Sequence, residues 1–119
     1  MKEGLMKLEL NNISVDCIIG ERPNERVTPQ QLRVDVSLEL VETASETDEL
    51  ADTVDYAALT ERIRATRRVA QCKMIERAAR LAGEACLADE RVRSAEVRVV
   101  KSGAIPHLES AAAVWKGER

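Results

Sequence analysis

Residues 51–83 decide how this chain must be read: ADTVDYAALTERI over 51–63, then MIERAARLAG over 74–83. Tyr56, Leu59, Ile63 and Ala70 recur at helical spacing, and Ile75, Ala78, Ala79, Ala82 and Cys86 do the same. Two successive amphipathic helices account for both sets, with Ala70 past the end of the first. The joint at Val69–Lys73 holds neither Gly nor Pro, so local signal also allows one long helix. Each helix carries a polar residue at its start. Tyr56 follows Asp55, which suits an N-cap, and Glu76 falls in the opening turn of the second helix. Helical side chains lean toward the N-terminus, so both residues point off the helix starts rather than along the solvated flanks. A carboxylate placed there also meets a favourable helix dipole.

Outward from this pair, the chain alternates. Leu8 and Leu10 share one phase; Ile13, Val15, Cys17 and Ile19 share the other. One extra residue at Asn11-Asn12, a β-bulge, produces such a phase change. The segment GERPNERVTPQ, residues 20–30, has the Gly and Pro chemistry of a loop. Leu32, Val34, Val36, Leu38 and Leu40 then face one side of a strand and Arg33, Asp35, Ser37 and Glu39 the other. The acidic run over 42–52 reads as a loop or short helical turn. Beyond the helices, Ala95, Val97 and Val99 alternate, and Lys101 occupies the next inward position. Ser102 to Pro106 breaks that strand, and Ala111 to Trp115 forms a last one. The order ββααββ is α+β, with two helices on one face of an antiparallel four-stranded sheet. Such a sheet has open edges, and self-association is one way to cover them.

Composition narrows the function classes. At 119 residues the chain is expected to form one domain, 1–119. A net charge of −3 and only two aromatics, Tyr56 and Trp115, argue against nucleic acid as partner. No apolar run is long enough for a membrane span and no signal-peptide pattern opens the chain, so the cytoplasm is the expected location. Cys17, Cys72 and Cys86 are widely spaced and odd in number, which suits buried, reduced thiols better than disulfides. With His107 the sole histidine, a histidine-rich metal site is excluded, and a solvated loop is its expected place.

Three candidate residues each allow a bland reading. Glu76 could serve only the helix dipole, for about 0.3–1 kcal/mol. Lys101 could lay its stem on apolar surface and reach water with its ammonium. Burial at that inward position would instead disfavour the ammonium and suit it to proton transfer near neutral pH. Glu25 could be one more loop carboxylate among 21 acidic residues.

Four segments in register carry a family resemblance. IIGERPNERVTPQQLRVDVSLEL (18–40) resembles the IG…E…Q…V-D-V segment of the dihydroneopterin aldolases, with Glu25 at the acidic position and Gln30 at the glutamine. SETDELADTVDY (45–56) resembles their S-D-D-L-x-D-T-V-x-Y run, which ends on Tyr56. The interval to Glu76 in MIER is similar, and VRVVKSGAIP (97–106) resembles V-x-V-x-K-P-x-A-x-P, with Lys101 at the lysine. Departures are Ser102 after the lysine, where proline is common and φ would be fixed, Arg68-Val69 in place of a Glu-Gly joint, and Cys72 in place of a bulky apolar residue.

The resemblance implies the tunnelling (T-) fold, assembled as an oligomeric barrel of four or eight copies with sites between subunits. It implies retro-aldol cleavage of 7,8-dihydroneopterin in folate biosynthesis, giving 6-hydroxymethyl-7,8-dihydropterin and glycolaldehyde. Glu76 would anchor the pterin, its two oxygens matching the adjacent amine and ring N–H donors. Backbone groups near Val54, Asp55 and Ile75 would complete recognition. Lys101 would act as general acid/base, Tyr56 would orient the side-chain hydroxyls, and Glu25 would pair with Lys101 or hold a water. The substrate carries its own electron sink, so neither cofactor, metal nor lysine Schiff base is called for. Two alternatives share the scaffold: a dihydroneopterin or dihydroneopterin triphosphate epimerase, with Arg22, Arg26, Arg67 and Arg68 as phosphate candidates, and a non-catalytic pterin-binding oligomeric module.

Overall fold

The computed structural model describes residues 5–27, 30–65, 71–103 and 105–119. In chain order it contains β1 (Met6–Cys17), α1 (Pro23–Val27), β2 (Gln30–Leu40), α2 (Ala44–Thr47), a 3-10 turn (Leu50–Asp52), α3 (Tyr56–Ala65), α4 (Ile75–Leu87), β3 (Val92–Ser102) and β4 (Ser110–Glu118). The strands form one antiparallel sheet in the order β1-β2-β3-β4.

Alternation decides which face is buried. Leu32, Val34, Val36, Leu38 and Leu40 of β2 and Val97 and Val99 of β3 are buried, while Arg33 and Glu39 are exposed. The phase change in β1 is a bulge: pairing steps from Leu10↔Val36 to Ile13↔Val34. Asn12 takes up the extra residue at φ 61°, a left-handed conformation that Asn tolerates, and its N–H donates to Asp35 Oδ1 at 2.6 Å. Leu8, Leu10, Ile13, Val15 and Cys17 therefore all pack on the one core.

Against that face, α3 buries Leu59 and Ile63, whereas α4 buries only small residues: Ala78, Ala79, Ala82, Gly83 and Cys86. Small side chains let α4 lie close to the sheet. The indole of Trp115 fills the space beside it, so near that a Cβ on Gly83 would meet Trp115 Cε3 at 2.1 Å. Glycine is a weak helix residue, and here the approaching ring requires it. Gly117 is under the same constraint, at 2.2 Å from the ring. That packing explains the mixed pattern of β4, whose alternate residues Ala113, Trp115 and Gly117 are only half-buried.

Two expectations are decided in detail. The helices are separate, because residues 71–74, between α3 and α4, are non-helical, with Met74 extended at φ −115°, ψ 140°. Arg67, Arg68, Val69 and Ala70 lie outside the described residues. The segment read as loop contains one turn of helix, α1, which begins on Pro23, a favoured first helical residue. No helix among the described residues is long and apolar enough to cross a membrane.

Candidate active site

Strand register sets the site. Leu32 pairs with Lys101 and Cys17 with Gln30, so the end of β1, the start of β2 and the end of β3 meet at one end of the sheet. The α1 turn lies over that end. Lys101 Nζ donates to Glu25 Oε2 at 2.5 Å, and the two side chains retain only 12% and 14% of their surface. Gln30 Nε2 also donates to Glu25 Oε2, at 3.3 Å, and to the Ile19 carbonyl at 3.2 Å. Chiefly the bond from Lys101, then that from Gln30, hold the Glu25 carboxyl below its ordinary range. Gly20 makes the arrangement possible: at φ +110° it suits no other residue, and a Cβ there would lie 2.4 Å from Glu25 Cδ. The pair thus has a fixed geometry, an ammonium backed by a carboxylate that stays ionised.

The start of α4 is tied to this cluster. Gly20 N–H donates to the Lys73 carbonyl at 3.0 Å. Arg26 donates to the carbonyls of Gly20, Cys72 and Gln71 at 3.1, 3.3 and 3.1 Å. Three residues beyond Lys73, Glu76 stands in the first turn, exposed, with no side chain among the described residues holding its carboxylate. Ile75 beside it is half-buried against the core.

Tyr56 lies elsewhere. Asp55 caps α3 as expected, its Oδ1 accepting from the N–H groups of Ala57 and Ala58 at 3.1 and 3.2 Å. Tyr56 at the first helical position is 59% exposed, beside a cleft of about 320 Å³ bordered by Leu8, Leu50 and Val54. Leu8 pairs with Leu38, six residues along β2 from the partner of Lys101. At about 3.3 Å per residue that is roughly 20 Å. Within one chain, therefore, Glu25 and Lys101 come together with the helix start that carries Glu76. Tyr56, Val54 and Asp55 form a second group at the other end of the sheet.

Gln30, Gly20 and Arg26 have positions here that the sequence did not assign. Gln30 matched the family's glutamine without a role, Gly20 read as a turn residue, and Arg26 as a phosphate candidate. The register bringing Cys17 to Gln30 was the missing information. The three cysteines are buried and none is in a disulfide. Burial pushes the thiols up, Cys17 to about 11 and Cys86 to about 12, with Cys72 raised in the same direction. Such thiols stay protonated and make poor nucleophiles. His107 is exposed in the β3–β4 loop, at φ 69°.

Among the solved structures that share this fold are three described as dihydroneopterin aldolases. A Vibrio cholerae protein described as a dihydroneopterin aldolase superposes with a TM-score of 0.89 at 22% identity, covering 98% of this chain and 100% of its own. The Escherichia coli dihydroneopterin aldolase, solved in complex with neopterin, gives 0.86 at 22%, over 94% of this chain and 98% of its own. A Burkholderia thailandensis dihydroneopterin aldolase bound to guanine gives 0.81 at 20%, over 97% and 92%. No curated protein sequence matches the chain. The sequence profile FolB, dihydroneopterin aldolase, matches residues 8–115. Spanning β1 to Trp115, that match identifies this chain as a member of the dihydroneopterin aldolase family, a family of lyases.

Proposed function

We propose that this protein cleaves 7,8-dihydroneopterin by a retro-aldol reaction, releasing 6-hydroxymethyl-7,8-dihydropterin and glycolaldehyde, a step of folate biosynthesis. The observation that carries the reading is the Lys101–Glu25 pair at 2.5 Å, braced by Gln30 and Gly20 beside the start of α4. Neopterin and guanine, the ligands of two relatives, both present an exocyclic amine next to a ring N–H. A carboxylate answers those two donors with two acceptors. Glu76, exposed and without a side-chain partner among the described residues, is the group suited to that edge in this chain, with backbone groups around Ile75 alongside.

The chemistry follows from the pair. A base removes the proton from the second side-chain hydroxyl, whose oxygen becomes the aldehyde of glycolaldehyde. The bond between the first and second side-chain carbons breaks, and its electrons enter the ring C=N. A proton then returns to the first carbon, leaving hydroxymethyl. Lys101 delivers and receives these protons, through a water that Glu25 helps to hold, and transfers of this kind contribute about 10²–10⁴-fold. The ring accepts the electrons directly, so the reaction proceeds without a Schiff base on Lys101 and without a metal. Activity should survive chelators, and borohydride should not trap a substrate adduct.

Tyr56, roughly 20 Å away in the same chain by strand count, reaches a pocket around Lys101 when it comes from a second copy. The exposed tyrosine and the open edges of β1 and β4 support such an assembly. There Tyr56 orients the side-chain hydroxyls, with Val54 and Asp55 offering backbone groups. Incubation with 7,8-dihydroneopterin tests the whole reading. Glycolaldehyde release supports it; an epimer without cleavage would make the protein an epimerase, and binding without turnover a pterin-binding module. Of the arginines considered for a triphosphate, Arg26 is engaged with three backbone carbonyls.

A further inference from the structure

We infer that Arg26 is a positioning residue, holding the helix start that carries Glu76 at a set distance from the Lys101–Glu25 pair. Neighbours in sequence, Glu25 and Arg26 leave the α1 turn toward different partners. The carboxylate takes Lys101 and Gln30; the guanidinium takes the carbonyls of Gly20, Gln71 and Cys72. Gly20 closes the link by donating its N–H to Lys73, while its Cα lies against the Glu25 carboxylate. Three hydrogen bonds thus join the 20–26 turn to residues 71–73, directly ahead of α4, and a fourth, from Arg26 to the Gly20 carbonyl, braces the turn itself.

The link matters because it supplies the directional, polar anchoring of the start of α4, beside the apolar packing of Cys72 and Ile75 on the core. Met74 at the N-cap makes no side-chain capping bond, and the buried residues of α4 begin only at Ala78. Upstream of α4, the non-helical residues 71–74 have no regular backbone ladder. A guanidinium spans three carbonyls with one planar group, which an ammonium cannot do. Arg26 therefore converts the place of Glu25 into the place of Glu76. On the proposed chemistry, those are the proton-transfer centre and the ring anchor. This inference rests on the proposed reaction for its catalytic meaning, but the clamp itself can be observed without turnover.

Arg26→Ala is the test, measured by amide hydrogen exchange and by kinetics with 7,8-dihydroneopterin. Exchange over residues 71–78 should quicken about tenfold or more, with the strands protected as in the parent. The kcat should fall and KM rise together, lowering kcat/KM about 10- to 100-fold, as misplacement of reacting groups does. Methylguanidinium added to the variant should restore part of the rate. Arg26→Lys keeps charge and stem, stays folded if the alanine variant does not, and should fall between the two. Unchanged exchange at 71–78 in a folded variant would overturn the clamp. Unchanged kcat and KM alongside faster exchange would overturn its role in positioning. Should the parent protein itself not cleave the substrate, the reaction falls and the clamp is judged on exchange alone.

Discussion

The two ends of the sheet are built on different terms. At the lysine end the chain satisfies itself: Lys101 and Gln30 both donate to Glu25, Gly20 leaves room for the carboxylate, and Arg26 ties in the neighbouring segment. At the tyrosine end the Asp55 side chain caps the backbone of α3. The side chains there stay open, with Tyr56 59% and Leu50 65% exposed. Polar groups aligned in advance cost nothing to reorganise when a substrate arrives. Apolar groups left open gain from whatever covers them. One end is thus paired within the chain, and the other leaves its side chains open.

The largest effect expected at the lysine end is that of Lys101→Ala, a fall in kcat of about 10²–10⁴-fold with KM little changed. Steady-state kinetics read both, and a dominant rise in KM would make the lysine a binding group. The division between the ends is tested next, by co-refolding Lys101→Ala with Tyr56→Ala. If pockets draw one end from each of two copies, about a quarter of them regain both groups and activity returns in proportion. No gain over the separate variants would place the pocket within one chain. Glu76→Ala should raise KM roughly 10- to 100-fold, the loss of hydrogen bonds to a charged group, while kcat falls far less. The reverse split would exchange the roles of Glu76 and Lys101.

The smallest effect concerns pH. Glu25's folded value lies below its ordinary 4.5, so its contribution to stability is present above that pH and fades as pH falls through the depressed value. The stability gap between the parent and Glu25→Gln should be constant from about pH 8 to about pH 5 and narrow below about pH 4.5. Thermal melts across that range measure it. A gap that widens on acidification would show that Lys101 does not hold the carboxylate ionised.

Much of this was legible in one dimension, for identifiable reasons. Strict alternation over Leu32–Leu40 could bury only one face, and the switch of phase after Leu10 needed an extra residue, found at Asn12. Asp55 before Tyr56 announced a helix start, and the structure uses it as a cap. By contrast, α1 is too short for a helical period to register, and the break ahead of α4 carries no Gly or Pro. Gly83 drew no reading of its own within its helix, yet Trp115, 32 positions later, is what requires it.

Local patterning, then, settled the strands, the apolar helix faces and the list of groups able to do chemistry, because periodicity and capping act between near neighbours in the chain. Strand pairing alone decided which of those groups meet. Register carried Lys101 across 76 positions to Glu25 and left Tyr56 beside Leu8. Hydrogen bonding between strands and close packing are long-range constraints, satisfied only when the whole core closes, and a linear pattern holds no distance between its ends.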